Sequence, residues 1–323
     1  MLKTQGAVRS VIVVLSSALA VAAGIDTDAA RSQRPTFRGG IARVAVTAVA
    51  ETLNGRPVTD LRPEEFELVD SGRPRGISEV RRDESPVHVA LLVDASGSMS
   101  VAERRLAARE VAAHVVSWLT PGLDQAALFT FDSGLREVEP MQPASTDILD
   151  EFEFMEAWGK TSLFDAIAGT GERVAAFGGA RRAVVALTDG VDNASRLSAV
   201  EVSGIASAID VPVYVLLVVA PLDRTGSPED LEARVRADLE GQLGKLARWT
   251  GGAIYAATGP ARTSLAARKI VEELRHQYLI SFEPGEEPGW HPIQLRTTRK
   301  DVVVRTRSGY VVGARPVWSE MRK

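Results

Sequence analysis

The chain has 323 residues, 45% hydrophobic and 25% charged, enough apolar material for about two globular domains. Its formal charge of −4 lacks the strongly basic balance of a nucleic-acid binder, so no nucleic-acid partner is expected. The absence of cysteine excludes disulfides, thiolate metal sites and cysteine nucleophiles.

Lys3 and Arg9 precede the apolar run VIVVLSSALAVAAG, and Ala18-Leu19-Ala20 fits the small-residue cleavage pattern of a secretory signal peptide. The run is shorter than the roughly 20 residues that span a bilayer. Residues 1–23 are therefore predicted to be a signal peptide, and the mature chain to be exported, periplasmic or extracellular, with no membrane span. Residues 24–39 are polar and predict a disordered lead.

From residue 40 the pattern has period two. Val44, Val46 and Ala48 share one side and Arg43, Thr47 and Glu51 the other, as in a half-buried strand. Asn54-Gly55 is a turn signal, and FELVD (66–70) and GISEV (76–80) read as two more strands. Residues 40–85 thus form a first β segment.

At residue 86 the rhythm changes. HVALLVD (88–94), AALFTFD (126–132), AVVALTD (183–189), VPVYVLLVV (211–219) and AIYAA (253–257) are nearly continuous apolar strands, suited to burial on both faces. LREVEPM (135–141) predicts a short edge strand. Helical patterns cover about 101–119, 145–157, 163–177, 199–209, 228–249 and 261–276. Ser100/Glu103, Ser162/Asp165 and Ser198/Glu201 have the spacing of capping boxes. Alternating strands and helices predict a doubly wound, mostly parallel α/β domain over 86–276.

The chain then returns to β with QYLISFE (277–283), HPIQLRTT (291–298) and DVVVRTR (301–307). Three short strands at either flank cover a core poorly alone. Residues 40–85 and 277–315 are therefore predicted to join in one small all-β sandwich, with 316–323 as a tail. Arg305, Arg307 and RTTRK (296–300) read as outward positions of strands.

Ligands of open α/β sheets bind beyond the carboxyl ends of the strands, where strand order reverses. Asp94 ends the first strand of this domain, and Ser96 and Ser98 lie in the short loop that follows, with Gly97 permitting a close turn. Trp158-Gly159-Lys160-Thr161 precedes a helix, and ALTDG (186–190) ends another buried strand with Asp189. Asp94, Ser96, Ser98, Thr161 and Asp189 make five oxygen donors with only two charges. Such a set suits a hard divalent cation, Mg²⁺ with Mn²⁺ or Ca²⁺ as alternatives, leaving room for a carboxylate from outside. Asp132, at the end of the second strand, is near the same edge. Asp192 and Asn193 read as a solvated loop, with shaping of the rim as the alternative, and Trp158 as either an exposed contact or helix-end packing.

DASGSMS, Thr161 and LTDG resemble the metal-ion-dependent adhesion site of von Willebrand factor type A domains, whose pattern is D-x-S-x-S, a distant Thr and a distant Asp. The likeness extends over residues 86–276. NGRPVTDLRPEEFEL, HQYLISF and VRTRSGYVV in the flanks are similar, more loosely, to exported bacterial proteins carrying such domains. The resemblance implies a metal-dependent adhesion or protein-binding module, the cation bridging to an Asp or Glu of a protein partner. It departs from the pattern at Lys160, where such bacterial sequences often have a second glycine.

A structural or assembly role in the cell envelope, with a degenerate metal site, is the alternative. Catalysis finds less support. Neither Ser96 nor Ser98 sits in G-x-S-x-G, and His88 should lie about 20 Å from Asp94 along its strand. A metal-assisted phosphohydrolase would want a second acid where Ser96 stands. No enzymatic activity is expected, and the sequence leaves oligomeric state open.

Overall fold

The computed structural model describes residues 43–177, 181–220 and 227–313. The predicted signal peptide, lead and tail lie outside the described residues. The chain opens with β1 (Val44–Thr52), β2 (Phe66–Asp70), the short β3 (Arg73–Arg75) and β4 (Ile77–Arg82). An α/β succession follows: β5 (Val87–Asp94), α1 (Ala102–Ser117), β6 (Gln125–Phe131), β7 (Leu135–Pro143), α2 (Leu163–Ala175), β8 (Arg181–Thr188), α3 (Ala199–Ala208), β9 (Val213–Val218), α4 (Pro228–Glu240), α5 (Gln242–Trp249), β10 (Ile254–Ala257) and α6 (Pro260–Arg275). β11 (Tyr278–Phe282), β12 (Gly289–Thr297), β13 (Val302–Thr306) and β14 (Gly309–Val312) close the fold.

The central sheet has the order β10-β9-β8-β5-β6-β7. All its pairs are parallel except β6 with β7, which joins the edge strand antiparallel. Alternation along β5 divides the interior. Val89, Leu91 and Val93 join the cluster that holds the apolar faces of α1 and α6, whereas Ala90 and Leu92 join that of α2, α3 and α5. Both faces are covered, which is why β5 reads as an unbroken apolar run. Among the described residues no helix is long and apolar enough to cross a membrane.

The two flanks interleave. β13-β1-β11-β4 form one antiparallel sheet and β14-β12-β2-β3 the other, so each sheet takes strands from both ends of the chain. Val46, Ala48 and Ala50 of β1 and Tyr278, Ile280 and Phe282 of β11 bury their side chains with Phe66, Leu68, Ile293, Leu295 and Tyr310 of the other sheet. Two aromatic pairs meet edge to face in this core, Phe66–Tyr278 at 5.3 Å and Phe282–Tyr310 at 5.5 Å. The fold class is thus as the sequence predicts, an α/β sheet with helices on both faces plus antiparallel sheets.

Local expectations differ at several points. The segment 145–157 is not an α-helix; only Thr146–Glu153 is helical, as a 3-10 turn capped by Ser145 and burying Ile148, Leu149 and Phe152. The single helix predicted over 228–249 is two. A Cβ at Gly241 would lie 2.9 Å from the Ala237 carbonyl and one at Gly244 2.0 Å from that of Leu239, so the chain turns back where only glycine fits. The strands β3 and β14 lie at sheet edges and are too short for periodicity to reveal.

Two expected caps are also absent. A 3-10 turn over Gly97–Ser100 delays α1, so Val101 rather than Ser100 stands at its N-cap, and no side chain caps it. At α2 the Ser162 hydroxyl makes no cap, and the Asp165 carboxylate accepts the backbone N–H groups of Arg196 and Leu197 instead. The third holds: Ser198 Oγ accepts Glu201 N–H at 3.3 Å and Glu201 Oε2 accepts Ser198 N–H at 2.7 Å.

The basic tail faces outward only in its first part: Arg296 and Lys300 are exposed, as expected, but Arg305 and Arg307 are not. Arg307 is buried, donating to the carbonyls of Ser207 and, at 2.8 Å, Ala45. Arg305 donates to the buried Glu273 of α6 and, at 3.0 Å, to the Gly251 carbonyl. Lys269 of α6 pairs with Glu51 of β1 at 3.3 Å. These guanidinium and ammonium groups bind the sandwich to the α/β layers, and all the described residues belong to one compact unit. A guanidinium can be buried this way because its five donors in a fixed fork meet waiting carbonyl and carboxylate acceptors.

The sandwich also contains a buried polar cluster. His291 Nδ1 lies 3.0 Å from Asp70 Oδ1 and its Nε2 2.6 Å from the Glu287 carbonyl, so both nitrogens face acceptors. Asp70 Oδ2 accepts from Arg75, Tyr310 and the Gly285 N–H. Burial works against both charges, lowering the imidazole's pKa and raising the carboxyl's. The hydrogen bonds prevail, holding His291 above its ordinary 6.5 and Asp70 below its ordinary 3.8. The raised histidine stabilises the fold fully below pH 6.5, and that contribution is lost as pH rises through its folded value. The lowered aspartate stabilises above pH 3.8 and loses this as pH falls. Urea midpoints should therefore fall between pH 5.5 and 8.5, and His291→Gln should flatten that fall; an equal fall in the variant would refute the assignment.

Candidate metal-binding site

β5 and β8 are neighbours at the switch point of the sheet, since β6 continues to one side of β5 and β9 lies beyond β8 on the other. Their carboxyl ends carry Asp94 and, one residue past the strand, Asp189. Asp94 is 1% exposed. Its Oδ1 accepts the Ser96 N–H at 2.9 Å, closing the turn, and its Oδ2 accepts the Thr188 hydroxyl at 2.7 Å. Ser96 is buried and Ser98 half-buried, and their hydroxyl oxygens stand 3.1 Å apart.

The loop before α2 is fastened to this turn. Trp158 N–H donates to the Ala95 carbonyl at 3.0 Å, and Gly97 N–H donates to the Gly159 carbonyl at 3.1 Å. A Cβ at Gly97 would come 3.2 Å from that same carbonyl, a tight contact that a side chain could make only if the loop shifted by a few tenths of an ångström. Thr161 follows, 3% exposed, and its hydroxyl makes no hydrogen bond to a described residue. The loop after β8 returns to Thr161, whose carbonyl accepts Asn193 N–H at 3.0 Å and Ala194 N–H at 3.1 Å. Backbone and side-chain hydrogen bonds thus join the three segments carrying the five predicted residues.

Electrostatics set the character of this edge. Burial pushes the Asp94 carboxyl above the ordinary carboxylate range; bonds from Ser96 and Thr188 oppose the shift, and the charge of nearby Asp189 adds to it. Among the described residues no Lys, Arg or His forms an ion pair with Asp94 or Asp189. A buried carboxylate beside a second acid, with no cationic side chain to balance it, is costly unless something positive joins it. Three hydroxyls and two carboxylates are the donors of a hard cation, so the residues fit a divalent ion of the Mg²⁺ type. Among the described residues no group of three or more His, Asp or Glu side chains is placed to hold a metal.

Residues around the edge differ from expectation. Asp132 turns its carboxylate to its own Gly134 N–H and offers its carbonyl to Ser162 N–H at 2.8 Å. Asp192 and Asn193 are not merely a solvated loop: Asp192 Oδ2 accepts Phe164 N–H at 3.1 Å, and Asn193 Oδ1 accepts Thr161 N–H at 2.9 Å. Trp158 is 69% exposed and Phe154 77%. Phe154, with Ala95, Arg136, Glu151, Met155 and Glu156, lines a cavity of about 210 Å³ beside the Asp94 turn. Two larger cavities, about 610 Å³ against α4 and β10 and about 470 Å³ against α2 and α3, include none of the five residues.

Residues 89–191 match the von Willebrand factor type A domain family. Over that stretch, about a third of its length, the chain is similar to this family. The matched stretch begins in β5 and ends just past Asp189, taking in all five candidate residues. Solved structures similar to the chain include a von Willebrand factor type A protein from Catenulispora acidiphila, at 14% identity over 76% of this chain and 74% of that one, TM-score 0.46. An aerotolerance-related membrane protein from Bacteroides fragilis matches at 19% identity over 58% of this chain and 98% of that one, TM-score 0.42. The PilB minor pilin from Streptococcus sanguinis matches at 12% identity over 60% and 62%, TM-score 0.42. No match to a curated protein was found.

Proposed function

We propose that the chain is an exported, metal-dependent protein-binding module. Asp94, Ser96, Ser98, Thr161 and Asp189 would hold Mg²⁺, or Mn²⁺ or Ca²⁺, and a partner protein's Asp or Glu would complete the shell. The observation that carries this reading is the buried Asp94 carboxylate next to Asp189, neither of them in an ion pair with a Lys, Arg or His among the described residues. When bound, the cation would supply the open coordination position that an outside carboxylate fills. The chain's own part is to fix the donors. Asp94 is held by Ser96 N–H and Thr188, the two serine hydroxyls lie side by side, and the Thr161 hydroxyl has no competing bond among the described residues. Exposed Phe154 and Trp158 offer apolar contact area beside this edge, the kind of anchor that protein interfaces favour. Binding is favoured over catalysis because, among the described residues, the serine hydroxyls lie beside each other and the Asp94 carboxylate, with no histidine bonded to them to act as base. The signal-peptide pattern at residues 1–23 supports export.

Calorimetric titration of Mg²⁺ and Mn²⁺ into the mature chain, with and without millimolar acetate as a stand-in for the partner carboxylate, tests the reading. Saturable binding that Asp94→Ala abolishes is the expected result. No binding by the wild type under either condition would overturn it.

A further inference from the structure

Thr161 is the one candidate donor outside the two acid-bearing strand ends, and its position rests on the segment after Asp189. Asn193 holds it from two sides. The side-chain Oδ1 accepts Thr161 N–H at 2.9 Å, and the backbone N–H of the same residue donates to the Thr161 carbonyl at 3.0 Å. The amide cannot be turned the other way round, since Thr161 N–H is a donor and requires the oxygen of the Asn193 side chain opposite it. Neighbouring bonds extend the fastening along the start of α2. Asp192 Oδ2 accepts Phe164 N–H at 3.1 Å, and Asp165 N–H donates to Ser195 Oγ at 3.1 Å. The Asp165 carboxylate accepts Leu197 N–H at 2.9 Å. Two segments about 30 residues apart are thereby aligned at the residue where a metal donor would stand.

We propose that Asn193 is a positioning residue of the metal site. By holding the Thr161 peptide it fixes the threonine hydroxyl as a cation donor and couples that donor to the loop bearing Asp189. The proposal rests on the metal-binding reading above. Asn193 is exposed and supports no core packing, so its tie to Thr161 has little to add to the stability of the sheet beneath. A donor fixed before the ion arrives does not have to be ordered by it, and the loss of an outer-shell partner of this kind weakens metal affinity by about 10–100-fold. Because two backbone N–H groups would still hold the Thr161 carbonyl in an alanine variant, the low end of that range is expected.

The test is Mn²⁺ titration of the mature chain, followed by calorimetry and by the electron paramagnetic resonance signal of bound Mn²⁺, in wild type, Asn193→Ala, Asn193→Asp, Thr161→Ala and the Asn193→Ala/Thr161→Ala double variant. Asn193→Ala is expected to raise the Kd about tenfold, with an unchanged thermal midpoint in the absence of metal. Asn193→Asp keeps an acceptor for Thr161 N–H and should recover most of the affinity. In the Thr161→Ala background the Asn193 substitution should have no further effect, because the group through which it acts is already gone. Wild-type binding with Asn193→Ala equally tight, or an undiminished effect in the Thr161→Ala background, would overturn the positioning role while leaving the metal site standing. Failure of the wild type to bind Mn²⁺ would overturn both.

Discussion

Glu273→Ala is expected to destabilise the protein by about 3 kcal/mol, the low end of the range for breaking a buried ion pair. Glu273 is 1% exposed on α6; it receives a hydrogen bond from Tyr255 at 2.8 Å and pairs with Arg305 of β13. The alanine leaves a guanidinium with its carboxylate removed. About a quarter of Arg305 reaches solvent, and water recovers part of the loss, which places the figure at the low end. Replacing both residues by methionine should restore much of the stability, since a matched apolar pair carries no uncompensated charge. Equilibrium urea unfolding of wild type, Glu273→Met, Arg305→Met and the double methionine variant gives the coupling. A single-variant loss below about 1 kcal/mol would show that the pair is solvated and does not fasten the sandwich to α6.

Tyr278→Ala should cost more, about 3–5 kcal/mol for the lost aromatic volume alone. The ring is 2% exposed between the two sheets of the sandwich, against Phe66. Its hydroxyl also accepts the Leu61 N–H and donates to the Val58 carbonyl, both at 3.0 Å, so one side chain satisfies two buried backbone groups of the β1–β2 connection. Tyr278→Phe separates these contributions. It keeps the ring and strands the backbone groups, for an expected loss of about 1–3 kcal/mol. A phenylalanine variant as stable as wild type would mean that water reaches Leu61 and Val58.

The strands β5, β6, β8 and β9 are legible because burial on both faces leaves an uninterrupted apolar run, and β1 because one buried face imposes period two. With those strands come their carboxyl ends, so Asp94 and Asp189 could be placed at one edge without coordinates. The 3-10 turn at 146–153 was beyond reach, since Ile148, Leu149 and Phe152 satisfy an α-helical spacing equally well. Arg305 and Arg307 read as solvated because charge normally is; their burial depends on carbonyls of Ser207, Gly251 and Ala45, which no local window contains. Asn193 is legible only as a residue of the rim or of a solvated loop, for the same reason. Its informative bond is to Thr161, 32 residues away, and nothing in the sequence around VDNAS signals it.

The interleaving of the two flanks bears on how the polypeptide is made. β1–β4 leave the ribosome as half of a sandwich, with Val46, Phe66 and Leu68 awaiting partners in β11 and β12. Roughly 200 residues must be added first, on the order of 10–40 s at ribosomal rates of about 5–20 residues per second. The intervening α/β segment is continuous and can complete its own core in that time. Its folding brings the two crossing points together, where Asp83 N–H meets the Gln277 carbonyl at 3.0 Å. The entropy of closing so long a loop is thereby met before the sandwich assembles, and the second half arrives beside the first. Nascent β1–β4 must meanwhile stay soluble, and the arginines at 73, 75, 81 and 82 put charge on the strands that wait longest.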